Sequence, residues 1–182
     1  MAAPDKSVED ILAALQERAK ELACLYRVNE IMNRAGVPQD ELMHQLIATL
    51  PAGWQYPEIC QARLSLHEQI FEPQGFSPSR WSMKAPIVVQ GERVGEIAIY
   101  YTEERPPADE GPFLKEERKL INTIAERIGY YLMQKRLLRA FEDWESAYQQ
   151  ISVADRRSWN IILEFLRGTD PHMLLVITRK MI

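Results

Sequence analysis

Met83 to Glu103 reads MKAPIVVQGERVGEIAIYYTE. Two apolar runs, Ile87-Val88-Val89 and Val94 to Tyr101, flank the polar dipeptide Gln90-Gly91. Glycine takes positive φ without steric penalty, so a two-residue turn built on it predicts a β-hairpin. Helical patterns lie on both sides of this hairpin in the chain. The helices must therefore pack on a sheet, which points to a small α+β domain rather than a pure coiled coil.

Upstream, residues 59–66 alternate: Cys60, Ala62, Leu64 and Leu66 on one face, Gln61, Arg63 and Ser65 on the other, as in a half-buried strand. A short run at Ile70-Phe71 follows. EPQGFSPSR (Glu72 to Arg80) carries two prolines and a glycine and reads as a surface loop. Residues 81–89 form the next predicted strand. Pro86 places it at a sheet edge or on a bulge, because proline donates no ladder hydrogen bond. A bulge at Pro86 would swap the face of part of that strand.

Long helices flank this core. Val8, Ile11, Leu12, Leu15, Leu22, Leu25, Val28 and Met32 recur at helical spacing. Ser7 to Asp10 resembles a capping box at the start of that run. Gly36-Val37-Pro38 breaks the pattern. A second helix follows with Leu42, Met43, Leu46, Ile47 and Leu50, and Pro51-Ala52-Gly53 stops it. After the polar loop EERPPADEGP, a third pattern runs from about Leu114 to about Gln150. Its second half carries Leu137, Phe141, Trp144, Tyr148 and Ile151 at spacings of 4, 3, 4 and 3. The first and third helices exceed what one small domain can cover. A homodimer is expected, with Leu15, Leu22, Leu137, Phe141, Trp144 and Tyr148 at its interface. Ser152 to Asp155 and Asp170-Pro171 open two further predicted helices, and the chain reads as an N-terminal piece of something longer.

Composition narrows the function. The 182 residues are 46% hydrophobic with a formal net charge of −4. A basic face for nucleic acid or for an anionic membrane is not expected. Neither a signal peptide nor an apolar run long enough to span a bilayer is evident, so a cytoplasmic protein is expected. Cys24 and Cys60 sit among apolar neighbours, outside any CxxC or Cys/His cluster, and read as buried free thiols. His44, His67 and His172 have no partner at catalytic or metal-ligand spacing. No catalytic residue, metal or cofactor is assigned. Glu116 to Lys119 reads as a solvated charge run at a helix start.

One binding surface follows from strand alternation. If Cys60, Ala62 and Leu64 face the helices together with Ile97, Ile99 and Tyr101, then Gln61, Arg63, Ser65, Glu96, Ala98 and Tyr100 face the other way, with Ser82 and Lys84 beside them. Arg63 and Lys84 suit an anion, and Trp81 or Tyr100 suit a flat ligand. An exposed polar sheet face is the competing reading.

Four segments, ELACLYRVNEIM (Glu21 to Met32), LPAGWQYPEICQARL (Leu50 to Leu64), VVQGERVGEIAIYY (Val88 to Tyr101) and DEGPFLKEERKLINTIAERIG (Asp109 to Gly129), agree in order and spacing with a GAF-like sensor domain. They resemble the input domains of bacterial and archaeal histidine kinases and related signalling proteins. SWNIILEFLRGTDPHMLLVITRKMI is similar to helices that follow such domains in proteins with a phosphoenolpyruvate synthase or pyruvate phosphate dikinase-like ATP-binding region. The resemblance implies an α+β fold: an antiparallel sheet of about five or six strands, with N- and C-terminal helices on one face and a C-terminal helical extension. It divides the chain into an N-terminal helix extension (1–18), a GAF-like domain (19–138) and a C-terminal helical extension (139–182). Relatives hold small ligands on the opposite face, beneath a loop. The Asn-Lys-Phe-Asp-Glu set of cyclic-nucleotide binders and a bilin-attachment cysteine are both missing from this sequence.

Three functions are consistent with these readings. The first is a non-catalytic sensory or regulatory module that dimerises through its terminal helices and binds a small molecule on the sheet. The second is a ligand-free dimerisation scaffold of a larger phosphotransfer enzyme. The third is a thiol-based reductase of methionine sulfoxide.

Overall fold

The computed structural model describes residues 8–150, and the side chains of residues 8, 9 and 11–145. The predicted cap at Ser7, the side chain of Tyr148 and the helices expected after Gln150 lie outside the described residues. In order the chain forms α1 (Val8–Met32), α2 (Gln39–Thr49), 3-10 turns at Leu50–Gly53 and Pro57–Ile59, β1 (Cys60–Leu66), β2 (Gln69–Phe71), β3 (Ser82–Val89), β4 (Glu92–Tyr101) and α3 (Lys115–Gln150). The fold class is α+β.

The described residues form one antiparallel sheet of four strands in the order β2-β1-β4-β3. This corrects the expectation of five or six. The two stretches that could have added strands are rich in proline. Pro51 and Pro57 open the 3-10 turns. Pro106, Pro107 and Pro112 lie in the loop before α3, where a single bridge between Glu110 and Phe113 is the only β pairing. Prolines lack the N–H a ladder needs.

The hairpin forms as the sequence requires. Val89 pairs with Glu92, and both turn residues are left-handed, Gln90 at φ 52° and Gly91 at φ 85°. Positive φ at both positions matches the right-handed twist of the flanking strands. β3 is an edge strand, which accommodates Pro86. The bulge lies one step further on and in the partner strand: Ile87 pairs with Gly95, whereas Val88 pairs with Arg93. β3 thus keeps strict alternation to its end. The extra residue, Val94, is buried.

One face of the sheet carries Cys60, Ala62, Leu64, Leu66, Met83, Ala85, Ile87, Ile97, Ile99 and Tyr101, all buried in a continuous core with residues of the three helices. α2 contributes Leu42, Met43, Leu46 and Ile47. α1 contributes Cys24, Val28 and Ile31, and α3 contributes Leu120, Ile121, Ile124, Ala125 and Ile128. Gly129 lets α3 approach the β3 edge, since a Cβ there would stand 2.6 Å from the Val88 carbonyl oxygen.

The chain divides into two compact units inside α3, between Met133 and Gln134. Tyr131 is the last buried residue of α3 in the first unit. The expected boundary after residue 18 falls within the unbroken α1. No helix among the described residues is long and apolar enough to cross a membrane.

Candidate functional site

The sheet face away from the helices presents three cross-strand rows. Gln61, Tyr100 and Ser82 form the first; Arg63, Ala98 and Lys84 the second; Ser65, Glu96 and Pro86 the third. Arg63 and Lys84 therefore flank Ala98 from the two neighbouring strands, with backbones roughly 10 Å apart at two strand spacings. A small side chain between two long cations makes a notch. Its floor is not open to water: Ala98 is 3% exposed and Tyr100 6%.

The loop from Glu72 to Arg80 supplies the cover. Gly75 turns it at φ 75° and Phe76 N–H donates to the Pro73 carbonyl. Phe76 then stands edge-on against Tyr100, ring centres 5.2 Å apart. The Arg63 guanidinium lies 5.5 Å from the same Phe76 ring centre. Ser77 N–H donates to Gln61 Oε1 at 3.1 Å, and Ser79 Oγ donates to the Tyr101 carbonyl at 2.6 Å. The loop is thus pinned to the sheet at Phe76 and at two points on its C-terminal side.

Each cation already has a carboxylate. Arg63 Nε is 3.6 Å from Glu72 Oε2, and Lys84 Nζ is 3.7 Å from Glu96 Oε1. Glu96 also pairs with Arg93. These groups are substantially solvent-exposed, so each pair contributes only about 0–1 kcal/mol, and an incoming anion can displace the carboxylates at small cost. Trp81 does not join the notch as an open stacking surface, because the Arg80 guanidinium covers its ring at 4.5 Å. Of the four residues named from sequence, the structure brings Arg63, Lys84 and Tyr100 together and sets Trp81 to one side. Phe76 escaped the sequence reading. Its signal was its being the only aromatic residue of the polar loop.

The notch carries no histidine or thiol. Among the described residues, no three His, Cys, Asp or Glu side chains gather where a metal ion would sit. Cys24 and Cys60 are both buried. Burial pushes the Cys24 thiol up to about 11 and raises Cys60 further, with Glu117 adding to the shift at Cys60. Thiol chemistry needs accessible, low-pKa sulfur, so neither cysteine is equipped for it.

The charge run Glu116 to Lys119 is not the solvated face expected of it. Glu117 is 1% exposed. Its carboxylate accepts the Leu114 and Gln55 N–H groups, each at 2.7 Å, and the Tyr101 hydroxyl at 3.1 Å. The Leu114 bond satisfies an orphan donor at the start of α3. Arg118 binds Glu110 with two nitrogens and donates to the Lys84 carbonyl at 2.7 Å, which covers part of the β3 edge.

The helix residues assigned to an interface fall in both units. In the first, Leu15 and Leu22 are exposed on α1, Leu22 at 67%. In the second, Phe141 and Trp144 are exposed on α3 and Leu137 is half-buried. No family model, curated protein or solved structure matches the chain.

Proposed function

We propose that the chain is a non-catalytic, GAF-like sensory or regulatory module. In this reading it binds a small, flat, anionic molecule on the sheet face and dimerises through its terminal helices. The observation that carries it is the Arg63–Ala98–Lys84 row beneath the Phe76 loop, with Tyr100 as an aromatic wall. A carboxylate or phosphate of the ligand takes the place of Glu72 and Glu96, and its planar part takes the place of Phe76 against Tyr100. The signal is a change in helix packing passed along α3, which requires the ligand to favour one helix arrangement over another. The module then serves as the regulatory head of a larger phosphotransfer protein of the pyruvate phosphate dikinase-like kind, in the cytoplasm.

Thermal-shift screening against aromatic carboxylates and small phosphates tests this reading. A binder should raise Tm in the wild type and lose at least tenfold in affinity in Arg63→Ala and Lys84→Ala. A panel in which nothing stabilises the wild type counts against it.

A ligand-free dimerisation scaffold is the second reading. It is favoured by the notch being internally satisfied: both cations are paired and Phe76 fills the space over Tyr100. Here Phe76 and Arg63 are simply the packing that holds the loop, and the dimer survives Arg63→Ala.

A further inference from the structure

Helix α1 has two apolar faces. Positions two apart on an α-helix point about 200° from each other. Cys24, Val28 and Ile31 face the core, so Leu22 and Tyr26 face directly away from it, Tyr26 at 77% exposure. Followed toward the N-terminus, this outward face reads Val8, Leu12, Leu15, Ala19, Leu22, Tyr26, all exposed. The spacings are 4, 3, 4, 3, 4 without interruption and without a charge. That is the alternating a/d repeat of a two-helix seam, which a single-faced surface helix has no need of.

We infer that this face is the seam of a parallel, in-register two-stranded coiled coil with a second copy of this chain. The inference rests on the homodimer reading and fixes what that reading leaves open: the face, the direction and the register.

Three observations select a second copy in this arrangement. The first is isolation. Every residue from Ile11 to Gln16 is exposed, so this stretch has no side packed on the core, and isolated helices this short are marginal in water. A partner helix supplies the missing packing. The second is area. Full burial of such a side chain corresponds to about 60–120 Å² of apolar surface. The seam thus offers on the order of 400–600 Å² per protomer. Contiguous apolar patches of that size on a monomer are often functional, and a standard interface needs about 800 Å² from each partner. The seam supplies more than half, and a groove beside it adds to the rest. That groove, about 230 Å³, runs between α1 and α3 with Leu22, Leu25 and Leu120 among its lining.

The third is charge. In a parallel, in-register pair the flanking contacts are Ile11 with Gln16, Arg18 with Ala23, and Leu25 with Glu30 of the second copy, and no like charges meet. In an antiparallel pair centred on the seam, Arg18 lies against its own counterpart. Arg18 is held by Glu21 at 2.7 Å and Glu116 at 2.9 Å on its own protomer; the antiparallel pair would bring two such net-negative clusters together, whereas the parallel pair sets each against Ala23.

The test uses the full chain in size-exclusion chromatography with light scattering, together with cysteine cross-linking. The wild type should run at twice the monomer mass. Leu15→Glu should weaken association at least a hundredfold while leaving the melting of the domain unchanged, because Leu15 is 59% exposed and lies outside the core cluster. Ala13→Glu, exposed off the seam, should remain a dimer. Leu15→Cys should form a covalent dimer on mild oxidation; the native cysteines are buried and do not compete. A monomeric wild type overturns both this inference and the homodimer reading. A dimer unaffected by Leu15→Glu overturns the seam but leaves dimerisation through another surface standing. If Leu12→Cys cross-links to Leu22→Cys in a mixture, while Leu15→Cys does not pair with itself, the parallel direction is wrong.

Discussion

Tyr101, the last residue of β4, donates its phenolic hydrogen to the buried carboxylate of Glu117 in the first turn of α3, at 3.1 Å. The Tyr101 ring also stacks on Phe113, with ring centres 4.5 Å apart and planes 20° from parallel. These two contacts tie the end of β4, the loop before α3 and the helix start. Glu117 Oε1 further holds the chain at Gln55, just before β1.

Glu117→Ala leaves two backbone N–H groups and one phenol without their acceptor. Unsatisfied buried donors cost about 1–3 kcal/mol each, and solvent reaching the new cavity reduces the sum. We expect a loss of about 3 kcal/mol in urea denaturation. Tyr101→Phe removes one donor from an acceptor that keeps two others, and should cost only about 1 kcal/mol. Equal losses for the two variants would mean that the carboxylate is not the hub of this network.

The same carboxylate makes stability depend on pH. Burial raises the Glu117 pKa above its ordinary value of 4.5, against the lowering effect of its three hydrogen-bond donors. A carboxyl raised in the folded state favours folding most when protonated. Its contribution is complete below the unfolded value and declines as pH rises through the folded one. The stability of wild type relative to Glu117→Gln should therefore fall as pH rises from 4 toward neutrality. A difference that rises over this interval would reverse the assignment.

Gly129 sits inside α3, where replacing glycine with alanine ordinarily stabilises a helix by about 1 kcal/mol. Here the new Cβ would meet the Val88 carbonyl oxygen at 2.6 Å. The helix must move off the β3 edge, so Gly129→Ala should destabilise by about 2 kcal/mol. A rise in Tm would show that α3 does not lie this close to β3.

Cys24 and Cys60 should resist thiol reagents in the folded protein. With Cys24 at about 11 and both sulfurs buried, labelling at pH 7.5 should be slower than in denaturant by roughly a hundredfold or more. Fast labelling of either would restore the thiol-reductase reading.

How far the sequence reaches depends on how local the deciding physics is. Gln90-Gly91 fixes the hairpin because the turn conformation is a property of those two residues. Alternation along Cys60 to Leu66 fixes which side chains share a face, because the period of a strand is two. The sequence by itself therefore determined the hairpin, the sheet face carrying Arg63, Lys84 and Tyr100, and the length of both long helices. Glu117 could not be found this way. Nothing in Glu116 to Lys119 distinguishes one carboxylate from its neighbour until Gln55, Tyr101 and Leu114 converge on it from three segments. The position of the bulge was equally out of reach, because it depends on how β4 meets β1 and β3 together. Only the tertiary structure decided that Phe76 covers Tyr100 and that Leu22 and Tyr26 point away from the core. Helical spacing marks apolar stripes, but which stripe is buried depends on what the rest of the chain brings against it.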